Sequence, residues 1–306
     1  MTPALRFFSS ICAAGVLAGC GAGASSHDAT LVLDFTPNAV HAGIYSALAR
    51  GFDRAAGVHL RIREPSSSTD SVKLLLGGRA DFAVLDIHDL AIARAAGRDV
   101  VGVLPLVQRP LAAVLAQPQF RTPQALAGHT AGVSGLPSDD AVLRSILEGA
   151  PVHEVTIGFD AVPALLGGRV AAATAFWDVE GIALRRVRPA IREFRVDDYG
   201  APAYPELVVS VAGRTLRERA TYVRAVVAAL RSGYAFTRAE PQQSAADELA
   251  RVPGLDRSLL LAEMSALRGA FGNGRFDLPR LRAWAAWEAR FKIVRSPPDV
   301  GRMFGQ

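Results

Sequence analysis

The sequence predicts an α/β protein with two lobes and a helical C-terminal segment, and three features carry that prediction. Short apolar strands alternate with amphipathic helices from residue 31 to about residue 211, which is typical of largely parallel sheets. The string Leu-Leu-Gly-Gly-Arg at residues 75–79 recurs at 165–169, each time before a small-residue strand, a short loop and a helix. After residue 211 the pattern is helical to the end, and a chain of 306 residues can build two separate cores.

The first lobe is predicted to hold four strands, several of which open onto polar residues. Pro37-Asn38 turns the chain after the first strand, and a helix begins near Val40. Thr69 is the expected N-cap of the next helix, Gly77-Gly78 ends that helix, and another helix covers 90–96. The predicted strands are 31–33, 58–63, 81–85 and 100–107.

The second lobe is expected between two chain crossings, at Pro110 and at residues 200–202. Its predicted elements are strands at 129–133 and 152–157, a helix at 139–147, and the second copy of the repeat. A strand at 207–211 and helices at 215–238, 242–251, 257–270 and 278–291 then return to the first lobe. The expected limits are 30–109 with 205–306 for lobe 1, and 110–204 for lobe 2. Chance recurrence in an Ala-, Leu-, Gly- and Arg-rich chain is the alternative explanation of the repeat.

The N-terminus has the features of a secretion signal rather than of a fold. An apolar run from 7 to 17 follows Arg6 and is too short to span a bilayer. Leu-Ala-Gly-Cys at 17–20 closes it and resembles the bacterial lipobox, which implies a signal over 1–19, acylation of Cys20 and a tether over 20–29. An uncleaved or differently cleaved signal is the alternative. Cys12 would be removed and Cys20 acylated, which leaves no free thiol for chemistry.

The chain is basic, with a formal charge of +5, but the charge pattern does not indicate nucleic-acid binding. Arginines are scattered through the helices, aromatic interleaving is absent, and Lys73 and Lys292 are the only lysines. We therefore expect no nucleic-acid partner.

The segment between the first strand and the first helix carries a specific signature. Residues 34–38 read Asp-Phe-Thr-Pro-Asn, and His41, Gly43 and Tyr45 follow. This pattern resembles the signature of the thiamine-pyrimidine group of substrate-binding proteins, in which Asp-Trp-Thr-Pro-Asn precedes His-x-Gly-x-Tyr. Phe35 replaces the usual Trp, which keeps an aromatic face but removes an indole N–H donor. The resemblance extends from about residue 31 to the last helix.

The resemblance implies the type II periplasmic binding-protein fold, with two α/β lobes, two hinge crossings and a ligand cleft between the lobes. It also implies a non-catalytic receptor that is lipid-anchored on the outer face of the cytoplasmic membrane. The ligand would be a thiamine pyrimidine precursor of the hydroxymethylpyrimidine or formylaminopyrimidine type. The partners would be the permease and ATPase subunits of an ABC importer, and no cofactor is implied.

Carboxylates and aromatic rings at strand ends suit a flat aminopyrimidine. Glu180 could pair with the aminopyrimidine edge through two parallel hydrogen bonds if one proton is shared, or it could be a first-turn acid that stabilises its helix. Trp177 could stack on the ligand or fill the core of its lobe. Asp34 could accept from a ligand amine or cap the following turn.

Phe35 and Tyr45 could line the pocket, although Tyr45 fits the core equally well. Asn38 could form an Asx-turn and His41 could be a helix-terminal surface group. Ser134 could hold a polar substituent or cap a helix. The predicted ligand-binding set is Asp34, Phe35, Asn38, His41, Tyr45, Asp86, His88, Ser134, Trp177 and Glu180.

Metal binding and catalysis are disfavoured by the motifs. Asp86, His88 and Asp89 are too close in sequence for all three to converge on one ion, and no His-x-x-x-His or Cys pair is present. A Gly-x-Ser-x-Gly nucleophile motif is also absent. The sequence therefore predicts neither a metal site nor a catalytic residue.

Two alternative functions compete with the pyrimidine receptor. A receptor for riboflavin, a sulfonate or nitrate would share the fold, but anions need cationic donors and the predicted loops are acidic. A pyrimidine synthase resembling the yeast members of the group would need the Lys that holds pyridoxal phosphate and a Cys-rich segment. The stretch at 85–88 reads Leu-Asp-Ile-His and has no Lys, although His88 lies near where the substrate His would fall.

Overall fold

The computed structural model describes Met1 and residues 27–305. The expected signal over 1–19, the acylated Cys20 and the tether up to residue 26 lie outside the described residues. Residues 27–29 were expected in the tether, but they begin the first strand because their backbone pairs with residues 58–60 of the neighbouring strand. Within the described part of the chain, no helix combines the length and apolarity that a membrane span requires.

Strands and helices alternate through most of the chain, as the sequence predicts. The strands are β1 (His27–Val32), β2 (Val58–Arg63), β3 (Phe82–Asp86), β4 (Val100–Pro105), β5 (Ala112–Ala116), β6 (Thr130–Val133), β7 (His153–Thr156), β8 (Ala172–Phe176), β9 (Arg192–Arg195) and β10 (Leu207–Ala212). The helices up to β9 are α1 (Ala42–Ala49), α2 (Phe52–Ala55), α3 (Asp70–Leu76), α4 (Ile87–Ala95), α5 (Asp139–Leu147), α6 (Ala161–Leu166) and α7 (Glu180–Val187). The C-terminal helices are α8 (Gly213–Glu218), α9 (Ala220–Ala239), α10 (Pro241–Leu249), α11 (Arg257–Ala266), α12 (Leu278–Arg290) and α13 (Val300–Met303).

Two five-stranded sheets form the cores of two lobes, and they share one topology. The strand order is β2-β1-β3-β10-β4 in the first sheet and β7-β6-β8-β5-β9 in the second. In each sheet one strand opposes the rest: β10 is antiparallel to β3 and β4, and β5 is antiparallel to β8 and β9. Each opposing strand is the first to enter its sheet after the chain has crossed from the other lobe. The fold is therefore the two-lobed α/β arrangement that the sequence predicts.

The opposing strand β5 and the edge strand β9 were not predicted from the sequence. The five residues of β5 are small or aliphatic and all buried, but they begin two residues after Pro110, where a crossing alone was expected. Strand β9 reads Arg-Glu-Phe-Arg and has one buried side chain, so its apolar signal is too short to detect. Both strands form because the neighbouring strand supplies hydrogen-bond partners, which is a tertiary effect.

The starts of α3 and α4 add detail to the expectation. Thr69 is the N-cap of α3, as predicted, but its side chain makes no cap hydrogen bond, and instead the hydroxyl and amide groups of Ser66 and Ser67 donate to the carboxylate of Asp70. Helix α4 begins at Ile87 rather than at residue 90, because the Asp86 side chain accepts from the backbone N–H of His88 at 2.7 Å. The 86–89 stretch is therefore a strand end and a helix first turn, not an open loop.

The Leu-Leu-Gly-Gly-Arg repeat corresponds to equivalent places in the two lobes. Gly77 and Gly167 end α3 and α6, and Gly78 and Gly168 adopt φ values of 66° and 67°, where a side chain would be strained. The strand that follows each copy ends at Asp86 in one lobe and at Phe176 in the other. The repeat therefore marks a shared βαβ plan.

The C-terminal helices pack mainly on the first lobe, as expected. Helices α9 and α10 contact α1, and α13 contacts β4. Helix α11 also reaches the second lobe, where the Arg186 guanidinium donates to the Ser258 hydroxyl at 2.7 Å. The tail thus contributes a contact across the lobes in addition to covering the first sheet.

The glycine of the His-x-Gly-x-Tyr signature has a packing role. A Cβ atom on Gly43 would lie 2.5 Å from Cγ of Tyr234, and one on Gly233 would lie 2.0 Å from the carbonyl oxygen of Gly43. Helices α1 and α9 therefore cross at a distance that only glycine allows. The Tyr234 hydroxyl donates to the carbonyl of Val40 at 2.8 Å and fixes the same contact.

We predict that Gly43→Ala lowers the free energy of unfolding by about 1 to 3 kcal/mol, because the added methyl group overpacks the crossing of α1 and α9. Gly269→Ala is the matched control, since no atom lies within 4 Å of a Cβ at that position. Urea denaturation of the two variants measures the difference. Equal stability of both variants would contradict the close crossing.

Candidate functional site

A cleft lies between the two sheets, at the carboxyl ends of their parallel strands. Asp34 follows β1, Asp86 ends β3, Ser134 follows β6 and Phe176 ends β8, and all four residues line the cleft. Its empty space is about 830 Å³, counted out to the open mouth. The carboxyl edge of an open α/β sheet is the usual ligand site of such folds, and here two such edges face each other.

The two lobes touch each other across this cleft. The rings of Phe35 and Phe159 meet edge-to-face with centroids 4.5 Å apart. The Ser68 hydroxyl of one lobe donates to the carbonyl oxygen of Ser134 of the other at 2.8 Å. The structure therefore has its lobes in contact around the site.

A series of hydrogen bonds through Asn38 and His41 orients Asp34. The backbone N–H of Asn38 donates to Nδ1 of His41 at 3.3 Å, so Nε2 of that ring carries the proton and faces Oδ1 of Asp34 at 2.9 Å. The Asn38 side chain accepts from the backbone N–H of Val40 and donates to the carbonyl of Thr36. His41 is fully buried, whereas the side chain of Asp34 is 12% exposed at the cleft. Asn38 and His41 thus position the cleft carboxylate instead of lining the cleft.

Glu180 places a second carboxyl group in the cleft, at the start of α7. It is an acid in the first turn of that helix, and its Oε2 accepts from the backbone N–H of Phe176, the last residue of β8, at 3.1 Å. Burial raises the pKa of Glu180 to about 7, and the nearby Asp34 adds to this shift, although the backbone hydrogen bonds oppose it. Glu180 can therefore hold or release a proton near neutral pH.

A second acidic group lies in the same cleft and comprises Asp86, Asp89 and Asp139. Burial raises the pKa of all three carboxyl groups. The charge of Asp139 adds to the shift of Asp86, and the charges of Asp86 and Asp139 add to the shift of Asp89. Asp139 is well satisfied, because it accepts from Ser134 Oγ, from the backbone N–H groups of Gly135 and Leu136, and from Thr174 Oγ1 at 2.8–2.9 Å. Asp89 Oδ1 has no hydrogen-bond partner. The group therefore has unused acceptor capacity.

The Ser134 side chain lines the cleft but is committed to the protein. Its hydroxyl donates to Asp139, and the neighbouring backbone N–H groups donate to the same carboxylate. The loop before α5 was a candidate anion site in the sequence. Asp139 occupies the donors that an anion would need.

His88 lies in a sealed network below the cleft. Its ring is fully buried, Nδ1 contacts the carboxylate of Glu288, and Nε2 lies 3.0 Å from the hydroxyl of Tyr204. Burial lowers the pKa of His88, but the carboxylates of Glu288 and Asp86 outweigh it and raise the pKa to about 10. His88 is therefore a cation that balances buried acids and does not line the cleft.

Trp177 and Tyr45 also lie outside the cleft lining. The Trp177 indole donates to the carbonyl of Pro110 at 2.9 Å, and its ring contacts the guanidinium groups of Arg109 and Arg195. This side chain therefore anchors the first crossing. The sequence had favoured a position in which the Trp177 ring faces the ligand. Tyr45 is 5% exposed within the core of the first lobe, the alternative that the sequence had left open.

Half of the sequence-predicted residues meet in the cleft and half do not. Asp34, Phe35, Asp86, Ser134 and Glu180 line it, whereas Asn38, His41, Tyr45, His88 and Trp177 do not. Several lining residues were missed, including Ser68, Ser71, Leu136, Phe159, Thr174 and Phe176. No motif in the sequence pointed to Phe159 or Ser71. Phe176 did have a signal, because the repeat aligns it with Asp86: each of the two residues ends the strand that follows its copy of the repeat.

One group of side chains within residues 27–305 has the spacing of a metal site. Ligand atoms of Asp86, His88 and Glu206 lie within 4.8 Å of one another, and all three residues are buried. Both ring nitrogens of His88 already have protein partners in Glu288 and Tyr204. We therefore describe the group as part of the sealed hydrogen-bond network.

Comparison with known proteins gives one family and several relatives. A family model described as "NMT1/THI5 like" matches residues 38–244. A formylaminopyrimidine-binding protein of Halalkalibacterium halodurans is 29% identical over 281 residues, which cover 84% of this chain and 85% of the relative. A putative thiamine biosynthesis protein of Haemophilus influenzae is 29% identical over 223 residues, 70% of each chain.

Two further similarities are more limited. The yeast 4-amino-5-hydroxymethyl-2-methylpyrimidine phosphate synthase THI5 of Saccharomyces cerevisiae is 32% identical over 92 residues, which cover 30% of this chain and 27% of the yeast protein. The solved alkanesulfonate-binding protein SsuA from Xanthomonas axonopodis pv. citri superimposes with a TM-score of 0.72 at 15% identity, over 92% of this chain and 99% of that one. At that identity the second similarity establishes the fold alone.

We predict that His41→Ala lowers the free energy of unfolding by about 2 to 4 kcal/mol, because it opens a cavity and removes the partner of a buried N–H group. His59→Ala is the matched control: His59 also pairs with an aspartate, at 3.1 Å, but its side chain is 50% exposed. That variant should change stability by less than about 0.5 kcal/mol. Denaturant titration of both variants measures the difference. Similar losses of stability would mean that the buried hydrogen bonds of His41 contribute nothing to the free energy of unfolding.

Proposed function

The chain belongs to the NMT1/THI5-like family, and on that premise we propose that it is the extracytoplasmic solute-binding component of an ABC importer. Its ligand is a thiamine pyrimidine precursor of the hydroxymethylpyrimidine or formylaminopyrimidine type, bound between the lobes. The observation that carries this proposal is the buried carboxyl group of Glu180, which lines the cleft together with aromatic rings.

Glu180 recognises the aminopyrimidine edge. An exocyclic N–H beside a ring nitrogen matches the two oxygens of a carboxyl group if one proton lies between the partners. A carboxyl group whose pKa is about 7 can supply that proton at neutral pH. Asp34, held by His41, accepts a further donor from the ligand.

The aromatic side chains provide the flat surfaces. Phe35, Phe159 and Phe176 all line the cleft, and their rings can stack on or meet the edge of a heteroaromatic ring. Such contacts contribute about 0.5 to 1.5 kcal/mol each beyond the burial of area. The substitution of Phe35 for the family's Trp keeps this contact and gives up one donor.

The lining chemistry argues against an anionic ligand. Every charged side chain that lines the cleft is a carboxylate, and the backbone donors before α5 are already used by Asp139. A sulfonate or nitrate would meet repulsion without compensating donors. The similarity to an alkanesulfonate-binding protein therefore supports a shared fold and not a shared ligand.

The names of the relatives support a non-catalytic role for this protein. The Halalkalibacterium halodurans relative, which aligns over 84% of the chain, is named as a binding protein, whereas the alignment with the yeast synthase covers 92 residues. The lipid anchor at Cys20, the location on the outer face of the membrane and the permease and ATPase partners belong to the same proposal.

We predict that hydroxymethylpyrimidine and its formylaminomethyl counterpart raise the melting temperature of the protein, and that taurine, nitrate and riboflavin do not. A ligand at about 100 times its Kd stabilises the fold by about 2.7 kcal/mol. Glu180→Ala should weaken the binding of either pyrimidine by about a hundredfold, whereas Glu218→Ala, an exposed acid on α8, should leave it unchanged. A response to taurine or riboflavin alone would overturn the proposed ligand.

We also predict that pyrimidine affinity falls as pH rises above 7. The complex holds one proton between Glu180 and the ring, and the free Glu180 loses its proton above a pKa of about 7, so binding must then take up a proton. Kd should increase by up to about tenfold per pH unit between pH 7 and 9. Isothermal titration at pH 6, 7, 8 and 9 measures this slope, and a constant Kd would mean that no proton is shared.

A further inference from the structure

The cleft contains more carboxyl groups than the edge of an aminopyrimidine can use. Within residues 27–305, its charged lining residues are Asp34, Asp86, Asp89, Asp139 and Glu180, and no Lys, Arg or His is among them. This is notable in a chain with 34 basic residues. The bias of the lining therefore belongs to the site and not to the overall composition.

These carboxyl groups form two sets within the cleft. The charge of Asp34 adds to the raised pKa of Glu180, and these two are the groups that the proposed ring contact uses. Asp86, Asp89 and Asp139 form the other set, since the charges of Asp86 and Asp139 act on Asp89. The second set has no role in recognising the ring edge.

Within the second set, Asp89 is the residue with an unused oxygen. Asp139 accepts four hydrogen bonds from its own lobe, and Asp86 caps α4 by accepting from the N–H of His88. Asp89 is 4% exposed and lines the cleft; the Ser138 side chain hydrogen-bonds to its carboxyl group, but its Oδ1 has no hydrogen-bond partner within the described chain. A buried carboxyl oxygen without a donor is costly, and burial raises the pKa of Asp89, so a ligand that supplies a donor and a positive charge is favoured there.

His88 does not fill this role. It is the cationic side chain nearest to the set, but its Nδ1 faces Glu288 and its Nε2 faces Tyr204. Glu206 lies behind it, with Oε2 committed to the backbone of Ala112 and with burial raising its pKa to about 8. The positive charge of His88 is therefore shared among acids beneath the cleft.

We propose that Asp89, supported by Asp86, forms a cation subsite that receives a protonated primary amine on the pyrimidine's side arm. The preferred ligand is then an aminomethylpyrimidine rather than its hydroxymethyl or N-formyl counterpart. This inference rests on the proposed pyrimidine-binding function and specifies its ligand class. An ammonium group offers three donors and a charge, whereas the hydroxyl and the formamide each offer one neutral donor.

The placement of the subsite also connects ligand charge to lobe contact. Asp89 is on α4 of the first lobe, and Ser138 and Asp139 of the second lobe lie beside it. Burial raises the pKa of both acids, and the charge of Asp139 adds to the shift of Asp89, so an empty cleft favours their protonated forms. A cation between them favours the ionised forms and attracts both lobes, so it favours the contact between lobes.

The test compares three ligands that differ only in the side arm: the aminomethyl, hydroxymethyl and N-formylaminomethyl pyrimidines. Isothermal titration at pH 7 should give a Kd for the amine that is at least about tenfold lower than for either neutral counterpart. Asp89→Asn should abolish this preference while it changes the Kd of the hydroxymethyl compound by less than about threefold. Glu248→Gln removes a buried carboxyl group outside the cleft and should preserve the preference.

The outcomes separate the two proposals. If all three pyrimidines bind equally, or if a neutral one binds most tightly, the cation subsite is wrong and the pyrimidine receptor stands. If none of the three binds, the pyrimidine receptor fails and the subsite fails with it. If Asp89→Asn weakens all three ligands by the same factor, Asp89 is structural. Should Asp89→Asn not fold, the ligand comparison on the unaltered protein still decides, and Asp86→Asn replaces the variant.

Discussion

The carboxylate of Glu206 fixes the place where the two lobes join, and the cleft depends on it. Glu206 lies on the second crossing, and its Oε2 accepts from the backbone N–H groups of Leu111 and Ala112 on the first crossing. The two crossings are thereby held side by side, and each continues into the strand that opposes its sheet. In each sheet the strands on either side of the opposing strand end at one edge, next to the crossings. The contact of Glu206 with the first crossing therefore brings the polar strand ends of both lobes together.

The site is an accumulation of buried acids that the fold stabilises in different ways. Asp34 is oriented by His41, Asp139 by the donors of its own loop, and Asp86 by the first turn of α4. Glu180 and Asp89 retain capacity for a ligand. Taking a carboxyl group out of water is costly, so such a cleft favours ligands rich in donors or positive charge. Selectivity would then depend on the lack of cationic side chains among the described lining residues, which disfavours anions, as well as on the carboxyl groups that are present.

The signature at residues 34–45 is mostly a device for positioning. Of its members, Asp34 and Phe35 reach the cleft, while Asn38, His41 and Gly43 fix the turn, the carboxylate and the crossing of α1 with α9. A binding site on a rigid support loses less entropy when the ligand arrives. The members of the signature that do not line the cleft therefore fix the positions of the two that do.

The sequence by itself determined the alternation of strands and helices, the duplicated plan of the lobes and the acidic strand ends, because periodicity and turn residues act locally. It also indicated Asp34, Phe35, Asp86, Ser134 and Glu180, in part because residues at the carboxyl ends of parallel strands face one edge and in part through the resemblance to the substrate-binding family. Only the tertiary structure decided that Trp177 holds the first crossing and that His88 is sealed with Glu288, because these contacts join segments far apart in the chain. The strand β5 and the ring of Phe159 likewise acquire their roles from neighbours, and no local pattern in the sequence encodes those neighbours.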